Sequence, residues 1–269
     1  PGGHQAVSGK NRKSALLRHD AASRHFRAKA QPGLQHQLVR EQSERTLSDM
    51  HEQNKAFKNL ALFDFDGTLC TKDSFTGFIF YSLSKRHIVR RGLKILPWIQ
   101  GYYLNLYPAH AMRPKLYRAM FSDSDAAQVQ RIAEEYAQEL LASLDPHLLS
   151  QLKAHQDLGH DVALVSASVD LYLKPVCSLL GIELICSEVE IKGQKITGFY
   201  QTADCSGEQK KMRILQRYNL QDYATVYAYG NSAEDLAMLD LADHRFMVGT
   251  DRHLPKLSYQ KESPLANSH

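Results

Sequence analysis

A chain of 269 residues with 43% hydrophobic composition can bury a core of its own, which excludes a wholly disordered polymer. The 33 Lys and Arg against 29 Asp and Glu leave a net charge of +4, and residues 1–58 alone carry eleven basic and five acidic side chains, so the remaining body is slightly acidic. A charge so divided predicts a basic tail rather than a nucleic-acid-reading domain. Cys70, Cys177, Cys186 and Cys205 form no C-x-x-C pair, which argues against a disulfide scaffold or a zinc knuckle and fits a reducing cytoplasm. No purely apolar run reaches the ~18 residues that a transmembrane helix needs.

Residues 1–57 are rich in Gln, His, Arg, Ser and Ala, and predict a disordered basic extension with a helix around Gln37–Lys55. Its arginines and few acids before Glu41 also resemble a transit peptide. From Asn59 the pattern changes. Leu60-Ala61-Leu62-Phe63 reads as a buried strand running into Asp64-Phe65-Asp66-Gly67-Thr68. The stretch 74–144 has helical periodicity and predicts a helical cap inserted between two parts of a core, 58–73 and 145–255, with a tail over 256–269. Two further strands, Val162–Val165 and Thr225–Tyr229, end in Ser166-Ala167-Ser168 and Gly230-Asn231-Ser232. Helical patterns follow at His147–His155, Asp170–Leu180, Glu208–Tyr218 and Ala233–Leu241, and a hairpin is expected at Glu188–Phe199. This alternation predicts an α/β fold, a Rossmann-like doubly wound parallel sheet with an inserted α-helical cap. Ligands of such sheets bind beyond the strand carboxyl ends, where all three polar clusters fall.

Two aspartates two apart at a strand end repel each other unless a cation or a shared proton offsets the repulsion. Such a pair suits Mg²⁺, a hard ion that takes oxygen ligands and accepts phosphate oxygens. Leu62–Leu69, Val165–Ser168, Gly207-Glu208-Gln209-Lys210 and Gly230–Asp235 together resemble, in order, the four motifs of the haloacid dehalogenase superfamily. The resemblance spans about Asn59 to Gly249 and is nearest the capped subclass that includes phosphoserine phosphatase.

That resemblance implies a nucleophile at Asp64, which would form an aspartyl-phosphate, and a general acid and base at Asp66. It implies phosphate contacts from Thr68, Ser166 and Lys210, and a Mg²⁺ site at Asp64, Asp66 and Asn231, with Asp235 supporting the ion directly or through water. Asn231 stands where the family more often has Asp, so one negative charge is missing. The phosphoserine phosphatases of this group carry Glu nine residues past the nucleophile, where this chain has Asp73. Arg118 or Arg113 is the candidate cap arginine for a substrate carboxylate. The resemblance thus implies a Mg²⁺-dependent phosphomonoesterase acting on a small phosphorylated metabolite, phosphoserine-like. Basic Lys85, Arg86, Arg90, Arg91 and Lys94 beside the aromatic stretch 95–107 suggest the alternative of a lipid phosphate at an anionic membrane surface. Asn231 and the basic tail motivate a third reading, a non-catalytic phosphate-binding protein of the same fold.

Overall fold

The computed structural model describes residues 58–86, 96–97, 100–101, 104 and 109–257. The helix expected at Gln37–Lys55 and most of the basic and aromatic stretch 85–107 lie outside the described residues. Among the described residues no helix is long and apolar enough to cross a membrane.

The apolar run after Asn59 forms β1 (Lys58–Phe63), buried along its length except at Lys58. It lies at the centre of a parallel five-stranded sheet with β3 (Asp161–Val169), β4 (Glu183–Ser187), β7 (Tyr223–Gly230) and β8 (His244–Met247). The order β4-β3-β1-β7-β8 is doubly wound and reverses at β1, so the crevice beyond β1 and its neighbours is the natural ligand site. Both neighbours of β1 are buried strands, β3 throughout after Asp161 and β7 over its last five residues.

The insert carries α1 (Ser74–Arg86), α2 (Ala109–Phe121), a two-residue strand β2 (Ser124–Asp125) and α3 (Ala126–Leu141). Asp125 caps α3 by accepting from the Gln128 amide. The insert is not purely helical, because β2 pairs with β6 (Lys195–Tyr200) of the predicted hairpin, whose other strand is β5 (Val189–Lys192). Gly193 sits at the hairpin turn with φ 61°, as that turn requires. Phe78, Met112, Tyr117 and Tyr136 of the insert join Phe65, Tyr172 and Leu173 of the remainder in one hydrophobic cluster. The insert is thus anchored by burial.

The core helices follow the expected positions. Asp145 and Pro146 start α4 (Pro146–Asp157), the Asp side chain accepting from the His147 and Leu148 amides. Gly181, with φ 67°, ends α5 (Asp170–Leu180). Next comes α6 (Glu208–Arg217). The single helix predicted at Ala233–Leu241 is instead a 3₁₀ turn, Ala233–Asp235, and a short α7 (Leu236–Leu239). The Asp235 carboxylate is drawn back onto the Asn231 and Ser232 amides, which tightens the first turn. The four cysteines are buried and free, and burial pushes the Cys70 thiol up to about 11, consistent with inert packing.

Behind β1 lies a buried polar chain. His155 is fully buried, with Nδ1 2.7 Å from His160 Nδ1 and Nε2 2.8 Å from the Tyr229 hydroxyl. Burial, with the neighbouring His160, lowers His155 to about 3. Unfolded, the residue returns to about 6.5. Below that pH the unfolded chain takes up a proton that the folded chain refuses, so this contribution is complete above about pH 6.5 and is lost as pH falls toward 3. Urea unfolding should show stability dropping by about 2 kcal/mol between pH 7 and pH 5 from this group. The drop should shrink in His155→Gln, and an unchanged slope in that variant would remove His155 as its source.

Candidate active site

A cavity of about 370 Å³ opens at the carboxyl ends of β1, β3 and β7. Its wall includes Asp64, Asp66, Asp73, Ser166, Lys210, Asn231 and Asp235, so the structure brings these sequence-predicted residues together.

Asp64 leaves the end of β1, its amide donating to the Tyr229 carbonyl at 2.9 Å, which ties it to β7. Its carboxylate accepts from Lys210 Nζ at 2.6 Å and from the Thr68 hydroxyl at 2.9 Å. Thr68 is buried and not part of the cavity wall, so its hydroxyl orients Asp64 rather than facing a ligand. Lys210, in the first turn of α6 and only 1% exposed, also donates to Asp235 at 2.6 Å. One ammonium therefore bridges two buried carboxylates. Burial pushes Asp64 up to about 7, against the pull of Lys210. Burial also disfavours the Lys210 charge, but Asp64 and Asp235 outweigh that and hold it above the ordinary lysine range.

Asp66 accepts from the Ser74 amide and from the Ser168 hydroxyl, both at 2.6 Å. Burial, with the Asp73 charge nearby, pushes it above the usual carboxylate range. Ser168, which reaches Asp66 from the end of β3, belongs to the second polar cluster but was not assigned a role from sequence. The Ser166 hydroxyl accepts from the Ser168 amide at 3.1 Å. Gly67, with φ 75°, turns the loop directly beneath Asn231, and a Cβ there would lie 2.1 Å from Asn231 Nδ2. Asn231 is thereby packed onto the Asp64–Gly67 turn.

Besides the phosphate contact expected of Thr68, three further expectations need correction. Asp235 lines the cavity, but its oxygens accept from Lys210, from the Asn231 and Ser232 amides and from the Ser232 hydroxyl. It organises the loop and fixes Lys210, and burial, which would raise it, is outweighed by Lys210 so that it stays low. Asp73 faces the cavity, but both its oxygens are taken by Thr76, through the amide at 2.9 Å and the hydroxyl at 2.8 Å, so it starts α1. Arg118 is not part of the cavity wall; its guanidinium lies over the Phe199 ring, 4.5 Å from the centroid. The arginine that does reach the cavity is Arg113, held by Asp204 and Glu234. Sequence reasoning missed both carboxylates, since Asp204 lies in an irregular segment without pattern.

No group of three His, Cys, Asp or Glu side chains among the described residues is arranged to hold a metal. The oxygen-rich wall still fits Mg²⁺, which is commonly held by one or two carboxylates with water and phosphate completing its shell. Asp64, Asp66 and Asn231 are the side chains of the wall that would hold it, Asp64 while also accepting from Lys210 and Thr68.

The sequence matches the family model of haloacid dehalogenase-like hydrolases over residues 61–240. It is 25% identical over 237 residues to a histidinol-phosphatase of Neisseria meningitidis, covering 78% of this chain and 99% of that one. It is 29% identical over 210 residues to a protein of Mycobacterium tuberculosis described as a probable phosphatase, covering 74% and 71%. Among solved structures, a Bordetella pertussis protein of unknown function superposes with a TM-score of 0.61 at 23% identity, covering 71% of this chain and 89% of that one. A substrate-bound phosphoserine phosphatase superposes with a TM-score of 0.51 at 18% identity, covering 70% and 84%; both likenesses speak for the fold. With the family model matched over residues 61–240, the chain belongs to the haloacid dehalogenase-like hydrolases.

Proposed function

We propose that this protein is a Mg²⁺-dependent phosphomonoesterase that passes through phospho-Asp64 on a small phosphorylated metabolite. The observation that carries the reading is the convergence of four separate segments on one cavity, with Lys210 Nζ 2.6 Å from the Asp64 carboxylate. Asp64 attacks phosphorus, the P–O bond to the organic group breaks, and Asp66 gives its proton to the leaving alkoxide. Asp66 then takes a proton from water, whose oxygen attacks the phosphorus of phospho-Asp64 and releases inorganic phosphate. Ser166 and Lys210 hold the phosphoryl oxygens and stabilise their charge. Asp64, Asp66 and Asn231 would hold Mg²⁺, which would supply the positive charge that lets a carboxylate approach a phosphate dianion.

Phosphate release from p-nitrophenyl phosphate and from phosphoserine, histidinol phosphate and glycerol phosphate tests the reading. Turnover should require Mg²⁺ and vanish with EDTA. Restoring a full carboxylate in Asn231→Asp should lower the Mg²⁺ concentration for half-activity by about tenfold, since a charged oxygen ligand replaces a neutral one. An unchanged Mg²⁺ requirement would remove Asn231 from the metal's surroundings.

A further inference from the structure

Arg113 reaches the cavity wall from α2, yet its charge is already met there by two carboxylates. Its Nε and Nη2 donate to Asp204 at 2.9 and 2.8 Å, and Nη2 also reaches Glu234 at 3.1 Å. Asp204 lies between β6 and α6, and Glu234 sits in the 3₁₀ turn after β7. The Arg113 and Asp204 side chains are 7% and 9% exposed, whereas Glu234 keeps 33%. A forked pair of this kind is a strong charge-assisted contact. A substrate carboxylate that met the remaining Nη1 would be a third anion on one guanidinium, facing the like charges of Asp204 and Glu234.

The remaining lining points the same way. Five carboxylates face three cations across the cavity wall. With Asp66 holding the proton it donates, the acids still outnumber the bases. The divalent cation and the phosphate dianion of the proposed reaction balance each other, so the residual negative field falls on the organic group of the substrate. Asp73 is occupied by Thr76. Glu234, whose two oxygens share the single Arg113 Nη2 and whose side chain stays 33% exposed, is the carboxylate that faces that group.

We infer that the Arg113–Asp204–Glu234 cluster sets the substrate class of this site: phosphomonoesters whose organic group carries an ammonium or similar cation and no carboxylate. Glu234 is the residue that attracts the cation, and the neutralised Arg113 withholds the partner that a carboxylate would need. Rejection comes from the like charges of Asp204 and Glu234 that a substrate carboxylate would face beside Arg113, a repulsive element of the kind that often sets specificity. The inference rests on the phosphatase reading of the same cavity, and it departs from a phosphoserine-like substrate.

Three small esters separate the terms. Phosphoethanolamine and O-phosphoserine differ only by the carboxylate, and phosphoethanolamine and ethyl phosphate only by the amino group. With Mg²⁺ present, kcat/KM should fall in the order phosphoethanolamine, ethyl phosphate, O-phosphoserine, with at least about a tenfold span. Glu234→Gln should cut the ratio of phosphoethanolamine to O-phosphoserine by about tenfold, chiefly through KM. Preference for O-phosphoserine in the unmodified protein, or an unchanged ratio in Glu234→Gln, would overturn the inference while leaving the phosphatase reading intact. Should Glu234→Gln fail to fold, the ranking of the three esters by the unmodified protein decides alone. Silence toward all three and toward p-nitrophenyl phosphate would instead overturn the phosphatase reading, and this inference with it.

Discussion

Asp64→Asn is expected to abolish phosphate release, lowering turnover by roughly 10⁴-fold or more, while the protein stays folded. An amide cannot form the acyl phosphate, so the loss falls on the chemical step. The substitution is nearly isosteric in a site where Asp64 is 6% exposed, and both partners of the carboxylate can be kept. The amide oxygen can accept from Lys210, and the amide nitrogen can donate to the Thr68 hydroxyl in place of the bond that Thr68 now gives. Lys210 also keeps Asp235, so no buried charge is stranded. Melting temperature and circular dichroism should change little. Acid quenching during turnover of labelled substrate should trap label on the peptide containing Asp64 in the parent protein and none in the variant. Hydrolysis within about tenfold of the parent would sink the nucleophile assignment.

The parts of this fold that were legible in the sequence are those where one physical demand dominates. Leu60–Phe63, Val162–Val165 and, within the run Thr225–Tyr229, Val226–Tyr229 are buried in the three central strands, so their apolar runs announce them. The edge strands β4 and β8 were missed. Each pairs on one side only and leaves polar residues exposed, Glu183 in β4 and His244 and Arg245 in β8. Such short mixed runs carry no period that separates them from loop. Side-chain direction within the insert was equally hidden. Arg113 and Arg118 sit on one helix, yet one reaches the cavity and the other a phenylalanine face, because the partners, Asp204 and Phe199, come from distant segments. The ordered motifs located Asp64, Asp66, Ser166, Lys210 and Asn231 at the cavity. They could not show that Thr68 sits behind Asp64, or that Asp235 is committed to Lys210 and the loop amides.

Lys210→Met should cost both stability and activity, and a second substitution should separate the two. Lys210 is 1% exposed and places its ammonium 2.6 Å from both Asp64 and Asp235. Methionine fills a similar volume but leaves two enclosed carboxylates facing each other without a cation, a situation that typically costs about 3–5 kcal/mol. Asp64 would then be driven further above its already raised value, because the group that pulls it down is gone. Adding Asp235→Asn removes one of the two uncompensated charges while keeping an acceptor for the Asn231 and Ser232 amides. The double variant should therefore recover part of the lost stability, a coupling that urea denaturation of both single variants and the double variant would measure. Turnover should not recover, since the cation beside the nucleophile is still missing. Additive stability effects in that cycle would mean that Lys210 and Asp235 do not act as a pair, and recovered turnover would place the transition-state charge elsewhere.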